Sequence, residues 1–433
     1  MAMRSHYAKQ VTPEMDGKQV QLAGWVHEIR DLGGLKFILL RDKTGIVQLT
    51  IKKKEVDPAL VGIVEKFVKE VSILCTGTVK ASKIAPRGFE IIPKEITVVG
   101  EVHGTVPFEV TGKVPADLDV RLDKRFIDLR RIETTAVFKI RSQAMRGFRE
   151  KLDELEFQEI TPTCLVSSST EGGTDLFPVV YFDKEAFLAQ SPQLYKQIAV
   201  MGGMDKVYMI TPVFRAEKHN TQFHLNEITQ MDIEMGFATH DEAISVLEQV
   251  FINILKRVTE HCGEELELLG SKITVPKSVP RFTYSQIVDK LNAKGYPIAW
   301  GDDFSKEQEK EMPALLGSEA FFITEWPTAI RAFYSMPHPD KPEICYAFDL
   351  MYKGVELSSG AQRIHQPDLL IKQLKAKGLR PSAFEAYIDA FRYGSIPHAG
   401  WSIGAERLTM KLANRDNIRE CAMFPRDRHR LTP

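Results

Sequence analysis

Two stretches far apart in the chain, Phe214-Arg215-Ala216-Glu217 and Gly404-Ala405-Glu406-Arg407, carry the residue types that grip a nucleotide. The first follows the apolar run Val207-Tyr208-Met209-Ile210, which predicts a strand. Arg215 then falls at or just past a strand end, with its planar donor fork available to an anion. The second stretch opens a helix just after the Gly-rich, extended segment Gly400-Trp401-Ser402-Ile403. Glycine there admits a flat ring close to the backbone, and Arg407 can lie over that ring by stacking and cation–π attraction. No G-x-x-x-x-G-K-S/T phosphate loop occurs. The pairing points to ATP chemistry with a different cradle.

The elements that position these residues belong to an ordinary globular chain. Its 433 residues allow two or three domains, and 43% hydrophobic with 27% charged content excludes extended disorder. With a formal net charge of −1, contact with nucleic acid must come from local basic patches. No apolar run reaches the length of a membrane span and no signal-peptide pattern opens the chain, so the expected compartment is the cytoplasm. Cys75, Cys164, Cys262, Cys345 and Cys421 are scattered singly, with no C-x-x-C pair, as expected of reduced cysteines.

Residues 1–103 predict five short strands with a helical pattern, Pro58 to Lys69, between the third and fourth. That is the element order of an OB-fold barrel, whose face binds single-stranded nucleic acid, although other small barrels share the count. Residues 104–131 lose periodicity and carry Gly104, Pro107, Gly112 and Pro115, predicting a linker. Residues 132–433 open with a long amphipathic helix, Val137 to Phe157. Strands joined by short polar turns then predict an antiparallel sheet flanked by helices, an α+β class.

Ile160-Thr161-Pro162, Phe214-Arg215-Ala216-Glu217 with Asn226-Glu227, and Gly404-Ala405-Glu406-Arg407 resemble, in order, the three signatures of class II aminoacyl-tRNA synthetases. Ser169-Thr170-Glu171-Gly172-Gly173, the run from Gln190 to Gln197 and the run from Ser358 to His365 narrow the match. Together they resemble the aspartyl-tRNA synthetases of the archaeal and eukaryotic kind, and the compact layout fits the archaeal one. The resemblance implies an N-terminal anticodon-binding OB domain, a class II catalytic domain, and a homodimer with Pro162 at its interface.

The implied reaction is attack of the L-aspartate α-carboxylate on the α-phosphate of ATP, followed by transfer of the aspartyl group to tRNA. A carboxylate is already nucleophilic at neutral pH, so the step needs alignment and charge neutralisation rather than a base. By resemblance Arg215 bridges the two anions. Glu217, Phe223, His224, Leu225, Glu356, Gly404, Ala405, Glu406 and Arg407 complete the ATP site. Asp349, Glu356 and Ser359 would hold Mg2+, whose hardness calls for oxygen ligands. Glu171, Gln193 and Asp232 would surround the α-amino group, with Ser359 beside them, while Lys196 and Arg363 would face the side-chain carboxylate. An asparaginyl enzyme has the same frame but typically lacks this lysine, so Lys196 argues for aspartate.

In the barrel, Phe37 would stack on an anticodon base, Gln48 and Glu90 would read base edges, and Arg30 would add a phosphate or base contact. Archaeal members strict for tRNA(Asp) tend to carry Trp and Lys where this chain has His27 and Pro86. Relaxed members, which also charge tRNA(Asn), resemble this chain there. Two departures stand out: Ile228 replaces a phenylalanine that stacks on adenine in many relatives, and Phe223 replaces a common basic residue.

Overall fold

The computed structural model describes residues 3–167, 176–218 and 221–433, and the chain divides into two compact units, Met1–Arg131 and Ile132–Pro433. In the first, β1 (Gln19–Asp31), β2 (Leu35–Asp42), β3 (Gly45–Lys52), β4 (Ser72–Ala81) and β5 (Phe89–Gly100) close a barrel in the order β1-β2-β3-β5-β4. Period-two alternation sorts β2: Ile38 and Leu40 enter the core while Phe37 and Leu39 stay partly exposed. Leu49, 0% exposed, sits at the one β3–β5 pairing, against Ile91. Replacing it by alanine should cost about 2–5 kcal/mol.

The helix expected to run to Lys69 stops at Glu65, after an Asp57 cap and Pro58 at its first position. Its early end has a tertiary cause. The chain must turn at Glu70, held at φ 71°, so that this buried carboxylate meets Arg41. Residues 104–131 fall in this unit. They form short helices at Leu118–Asp123 and Arg125–Asp128, and the latter buries an Arg125–Asp128 pair.

The second unit is built on an eight-stranded sheet. Its strands are β6 (Gln158–Glu159), β10 (Lys206–Phe214), β11 (Glu227–Gly236), β12 (Arg281–Thr283), β13 (Ala320–Pro327), β14 (Ile344–Tyr352), β15 (Val355–Gln362) and β16 (His398–Gly404), in the order β12-β13-β14-β15-β16-β11-β10-β6. The six central strands are antiparallel, whereas β12 and β6 join at the edges in parallel, so the sheet is mixed. A small sheet of β7 (Leu165–Val166), β8 (Pro178–Tyr181) and β9 (Lys184–Leu188) stands beside it.

Helices Ile132–Glu154 and His240–His261 bury Val137, Ile140, Ala144 and Phe148, and Leu247, Val250, Phe251 and Ile254, at the three- and four-residue spacing of one helical face. They share a core with Met231, Ile233 and Met235 of β11, Phe348 and Leu350 of β14, and Trp401 and Ile403 of β16. Alternation then sends Asp232, Glu234, Asp349 and Ser402 to the other face. Register does the rest: Asp349 pairs with Ser359, Ser359 with Ser402, and Ser402 with Asp232, one row of oxygen-bearing side chains across four strands.

Candidate functional site

A cavity of about 400 Å³ opens over this row. It brings together Gln193, Arg215, Glu217, Phe223, His224, Leu225 and Asp232, and from the other half of the chain Glu356, Ser359, Arg363, Gly404, Glu406 and Arg407. Three predicted residues do not line it. Lys196 lies behind Asp232, Asp349 is 1% exposed beneath Arg331, and Ala405 is packed in the core at the start of helix Ala405–Leu412. Glu171 lies outside the described residues.

At the floor, two cations and two carboxylates interlock. Lys196 Nζ donates to Asp232 Oδ1 at 2.7 Å and to the Trp401 carbonyl at 3.2 Å, and lies 3.6 Å from Glu234 Oε2. Arg363 donates to both Glu234 oxygens, at 2.9 and 3.2 Å. Burial alone would raise the Glu234 carboxyl, but Arg363 and Lys196 hold it below its ordinary range. The remaining Arg363 Nη1 has no protein partner among the described residues. Glu234 carried no signal in the sequence beyond its period-two spacing from Asp232. Gly400 explains its seat: a Cβ there would stand 2.2 Å from Glu234 Oε2. The glycine in this segment that clears space for a carboxylate is thus Gly400, while at Gly404 a Cβ would meet only the Arg407 Cβ, at 4.0 Å.

Arg215 follows β10 directly, and Asn226 ties the two sides of the connection. Its amide nitrogen donates to the Arg215 carbonyl at 2.7 Å and to that of Glu217 at 3.2 Å. His224 Nε2 lies 3.8 Å from Glu217 Oε2. Glu406 lines the cavity, yet both its oxygens are engaged in tying elements together, one by Arg141 at 2.8 Å and one by the Thr229 amide at 3.0 Å. Phe223 and Ile228 line the cavity and rest against the core, and Leu225 is part of it.

Arg331, like Glu234, is a site residue that the sequence does not mark. It donates to both Asp349 oxygens, at 2.9 and 2.6 Å, and to the Ser359 hydroxyl at 2.5 Å, with its guanidinium 4.8 Å from the Trp326 ring centroid. Nothing marks it locally, since it sits in a turn after β13. Glu356, by contrast, has no hydrogen-bond or ion-pair partner among the described residues, and burial first, then Asp349, pushes its carboxyl up. Glu356 and Ser359 open to the cavity as oxygen donors suited to a hard divalent cation, whereas Arg331 takes both oxygens of the buried Asp349. A bulge breaks the alternation of β15, so Glu356 and Ser359 both reach the cavity while Ser358 is buried.

On the barrel, Phe37 pairs in register with Arg30 on one side and Thr50 on the other. Gln48 donates to Thr50 Oγ1 at 3.2 Å, which donates to Glu90 Oε2 at 2.6 Å. Phe37, Gln48 and Glu90 therefore share one face, with Thr50 as an unforeseen link. His27 is half-buried on β1, and Pro86 is exposed in the β4–β5 connection. Pro162 is partly exposed in the connection from β6 to β7.

Residues 117–428 match the family described as tRNA synthetases class II (D, K and N), and residues 20–99 match the OB-fold nucleic acid binding domain. The chain is 48% identical over 431 residues to the aspartate–tRNA(Asp/Asn) ligase of Methanothermobacter thermautotrophicus, covering 99% of this chain and 98% of that one. It is 49% identical over 435 residues to the ligase of the same name from Methanocaldococcus jannaschii, again covering 99% and 98%. Among solved structures, asparaginyl-tRNA synthetase from Pyrococcus horikoshii with asparaginyl-adenylate superposes with a TM-score of 0.94 at 34% identity, covering 99% of both chains. Aspartyl-tRNA synthetase from Entamoeba histolytica gives 0.88 at 33%, covering 98% of this chain and 92% of that one.

Proposed function

The chain belongs to the class II tRNA synthetases of the D, K and N group, and from that premise we propose that it is an aspartate–tRNA ligase charging both tRNA(Asp) and tRNA(Asn). The observation that carries the choice of amino acid is the buried cation pair Lys196 and Arg363, joined through Glu234 beside the cavity. Arg363 Nη1 meets the aspartate side-chain carboxylate while Lys196 holds Asp232 and adds its charge from behind. An amide in that place forgoes the charge interaction, a difference on the order of several kcal/mol.

In the first step the aspartate carboxylate oxygen bonds to the α-phosphorus of ATP and pyrophosphate leaves. Arg215 lies between the two anions, and Arg407 stacks on the adenine. Gln193, Asp232 and Glu171 hold the α-amino group. Asp349, Glu356 and Ser359 would hold Mg2+, which shields the β- and γ-phosphates when bound. In the second step a ribose hydroxyl of the terminal adenosine of tRNA takes the aspartyl group and AMP leaves. The barrel supplies the tRNA contact through Phe37, Gln48, Glu90 and Arg30.

The working form is a homodimer formed around Pro162 and helix Ile132–Glu154. The half-exposed Met423 and Phe424, which flank a groove shared with Phe138 and Met145 of that helix, support this. No helix among the described residues is long and apolar enough to cross a membrane, and the expected compartment is the cytoplasm.

One assay tests the proposal: aspartate and asparagine, each offered with both tRNA transcripts. Aspartate should charge both within about threefold, and asparagine neither. A preference of about a hundredfold for tRNA(Asp) overturns dual charging, and asparagine-dependent pyrophosphate exchange overturns the amino-acid assignment.

A further inference from the structure

Gln193 lines the cavity, and Gln197 follows it by one turn on the same face of helix Gln193–Ala199. Gln193 Nε2 donates to Gln197 Oε1 at 3.0 Å, while the Gln193 oxygen has no protein partner among the described residues. Gln197 is 0% exposed, and two further groups hold it. The Tyr387 hydroxyl donates to the same Oε1 at 2.9 Å, and Gln197 Nε2 donates to His398 Nε2 at 2.8 Å. His398 Nδ1 lies 2.9 Å from the Ile396 carbonyl, in the loop before β16. One file of hydrogen bonds thus runs from a loop carbonyl to the cavity wall.

The file has a direction, and one end sets it. A backbone carbonyl accepts and cannot donate, so His398 carries its proton on Nδ1. Burial pushes the ring's pKa down to about 4, so at neutral pH it holds that one proton and Nε2 presents a lone pair. Gln197 must then turn its NH2 to His398 and its oxygen to Tyr387 and Gln193. Gln193 in turn gives its NH2 to that oxygen, which leaves a carbonyl oxygen for the cavity. Tyr387 imposes no direction, because a hydroxyl gives or accepts.

We infer that His398 and Gln197 are positioning residues for the amino-acid site: the Ile396 carbonyl fixes the His398 tautomer, and the relay through Gln197 turns the Gln193 oxygen, not its NH2, toward the substrate. The inference rests on the proposed reading of Gln193 as a contact of the aspartate α-amino group. An ammonium only donates, so it gains from the oxygen and is repelled by an NH2. A hydroxyl gives or accepts, so an α-hydroxy acid meets either end of the amide equally well. The relay therefore selects an amino acid over the hydroxy acid of the same carbon skeleton.

The test uses the full-length enzyme, with the Kd of radiolabelled L-aspartate from equilibrium dialysis and that of L-malate, its α-hydroxy counterpart, from displacement of the label. Gln197→Met and His398→Leu free the Gln193 amide to turn. Each should weaken aspartate about tenfold and change malate by less than about twofold, with the KM for ATP unmoved. Tyr387→Phe removes a hydroxyl but no direction, and should keep the wild-type ratio of the two constants to within about twofold. A disturbed pocket would weaken aspartate and malate together, and that result in Gln197→Met overturns the inference. A wild-type ratio in both Gln197→Met and His398→Leu overturns it as well. Gln193→Leu separates the inference from the reading beneath it. If that variant keeps the wild-type ratio, Gln193 does not meet the α-amino group and the reading itself fails. If it lowers the ratio while the other two do not, only the relay fails. Should His398→Leu not fold, Gln197→Met carries the same prediction with a side chain of similar length.

Discussion

Lys196 and Arg363 share one carboxylate: Lys196 Nζ lies 3.6 Å from Glu234 Oε2, and Arg363 donates to Oε1 at 2.9 Å and to Oε2 at 3.2 Å. Lys196 and Glu234 are fully buried, so neither charge has water as an alternative partner. Lys196→Met should therefore act twice. Leaving Asp232 and Glu234 short of a cation costs about 3–5 kcal/mol of stability, read as a lowered melting temperature. Aspartate-dependent pyrophosphate exchange should fall by about a hundredfold or more in kcat/KM, with discrimination against asparagine reduced. Unchanged selectivity would remove Lys196 from substrate recognition.

Arg331 already occupies Asp349 and Ser359. Arg331→Met releases both, and binding of Mn2+ to the nucleotide-free enzyme, followed by electron paramagnetic resonance, should strengthen about tenfold. Melting temperature should drop, because Asp349 loses a bidentate partner while buried. Weaker Mn2+ binding in a folded variant would mean that Arg331 helps build the oxygen cluster rather than neutralising it.

Ile228 lines the cavity and rests on the core, where it offers hydrocarbon but no ring. Ile228→Phe should lower the KM for ATP several-fold, since an aromatic stack adds about 0.5–1.5 kcal/mol. The KM for aspartate should not move. A rise in both would show that the larger ring clashes with its neighbours.

His398 links stability to pH. Its ring is fully buried, donates from Nδ1 to the Ile396 carbonyl at 2.9 Å and accepts at Nε2 from Gln197 at 2.8 Å. Burial pushes its pKa down to about 4, whereas the unfolded imidazole titrates near its ordinary 6.5. Between those values the unfolded chain binds the extra proton, so this contribution is complete above about pH 6.5 and is lost as pH falls toward 4, up to on the order of 3 kcal/mol. His398→Asn should flatten that limb of the stability profile measured by thermal unfolding. An equal slope in both proteins would assign the acid sensitivity elsewhere.

Much of this arrangement is legible in the chain itself. Alternation along β2 and β3 places Phe37 and Gln48 on the outward face, and an apolar run followed by Phe214-Arg215 puts the arginine at a strand end. Helix His240–His261 starts where Thr239 and Glu242 form a capping box, a local signal with a spacing of three residues. The helix after Asp57 ends at Glu65, short of Lys69, because Glu70 turns toward Arg41, a partner 29 residues away in the chain.

Sequence alone determines which residues can carry charge, which stretches form strands and helices, and which side chains share a face, because those depend on neighbours two to four positions away. Only the tertiary structure decides that Asp349, Ser359, Ser402 and Asp232 fall in one row, that Arg331 caps it, that Glu234 joins Lys196 to Arg363, and that Gln197 joins Gln193 to His398. The reason is register: a slip of one residue between strands sends a side chain to the opposite face, and that choice is made by packing across the whole sheet.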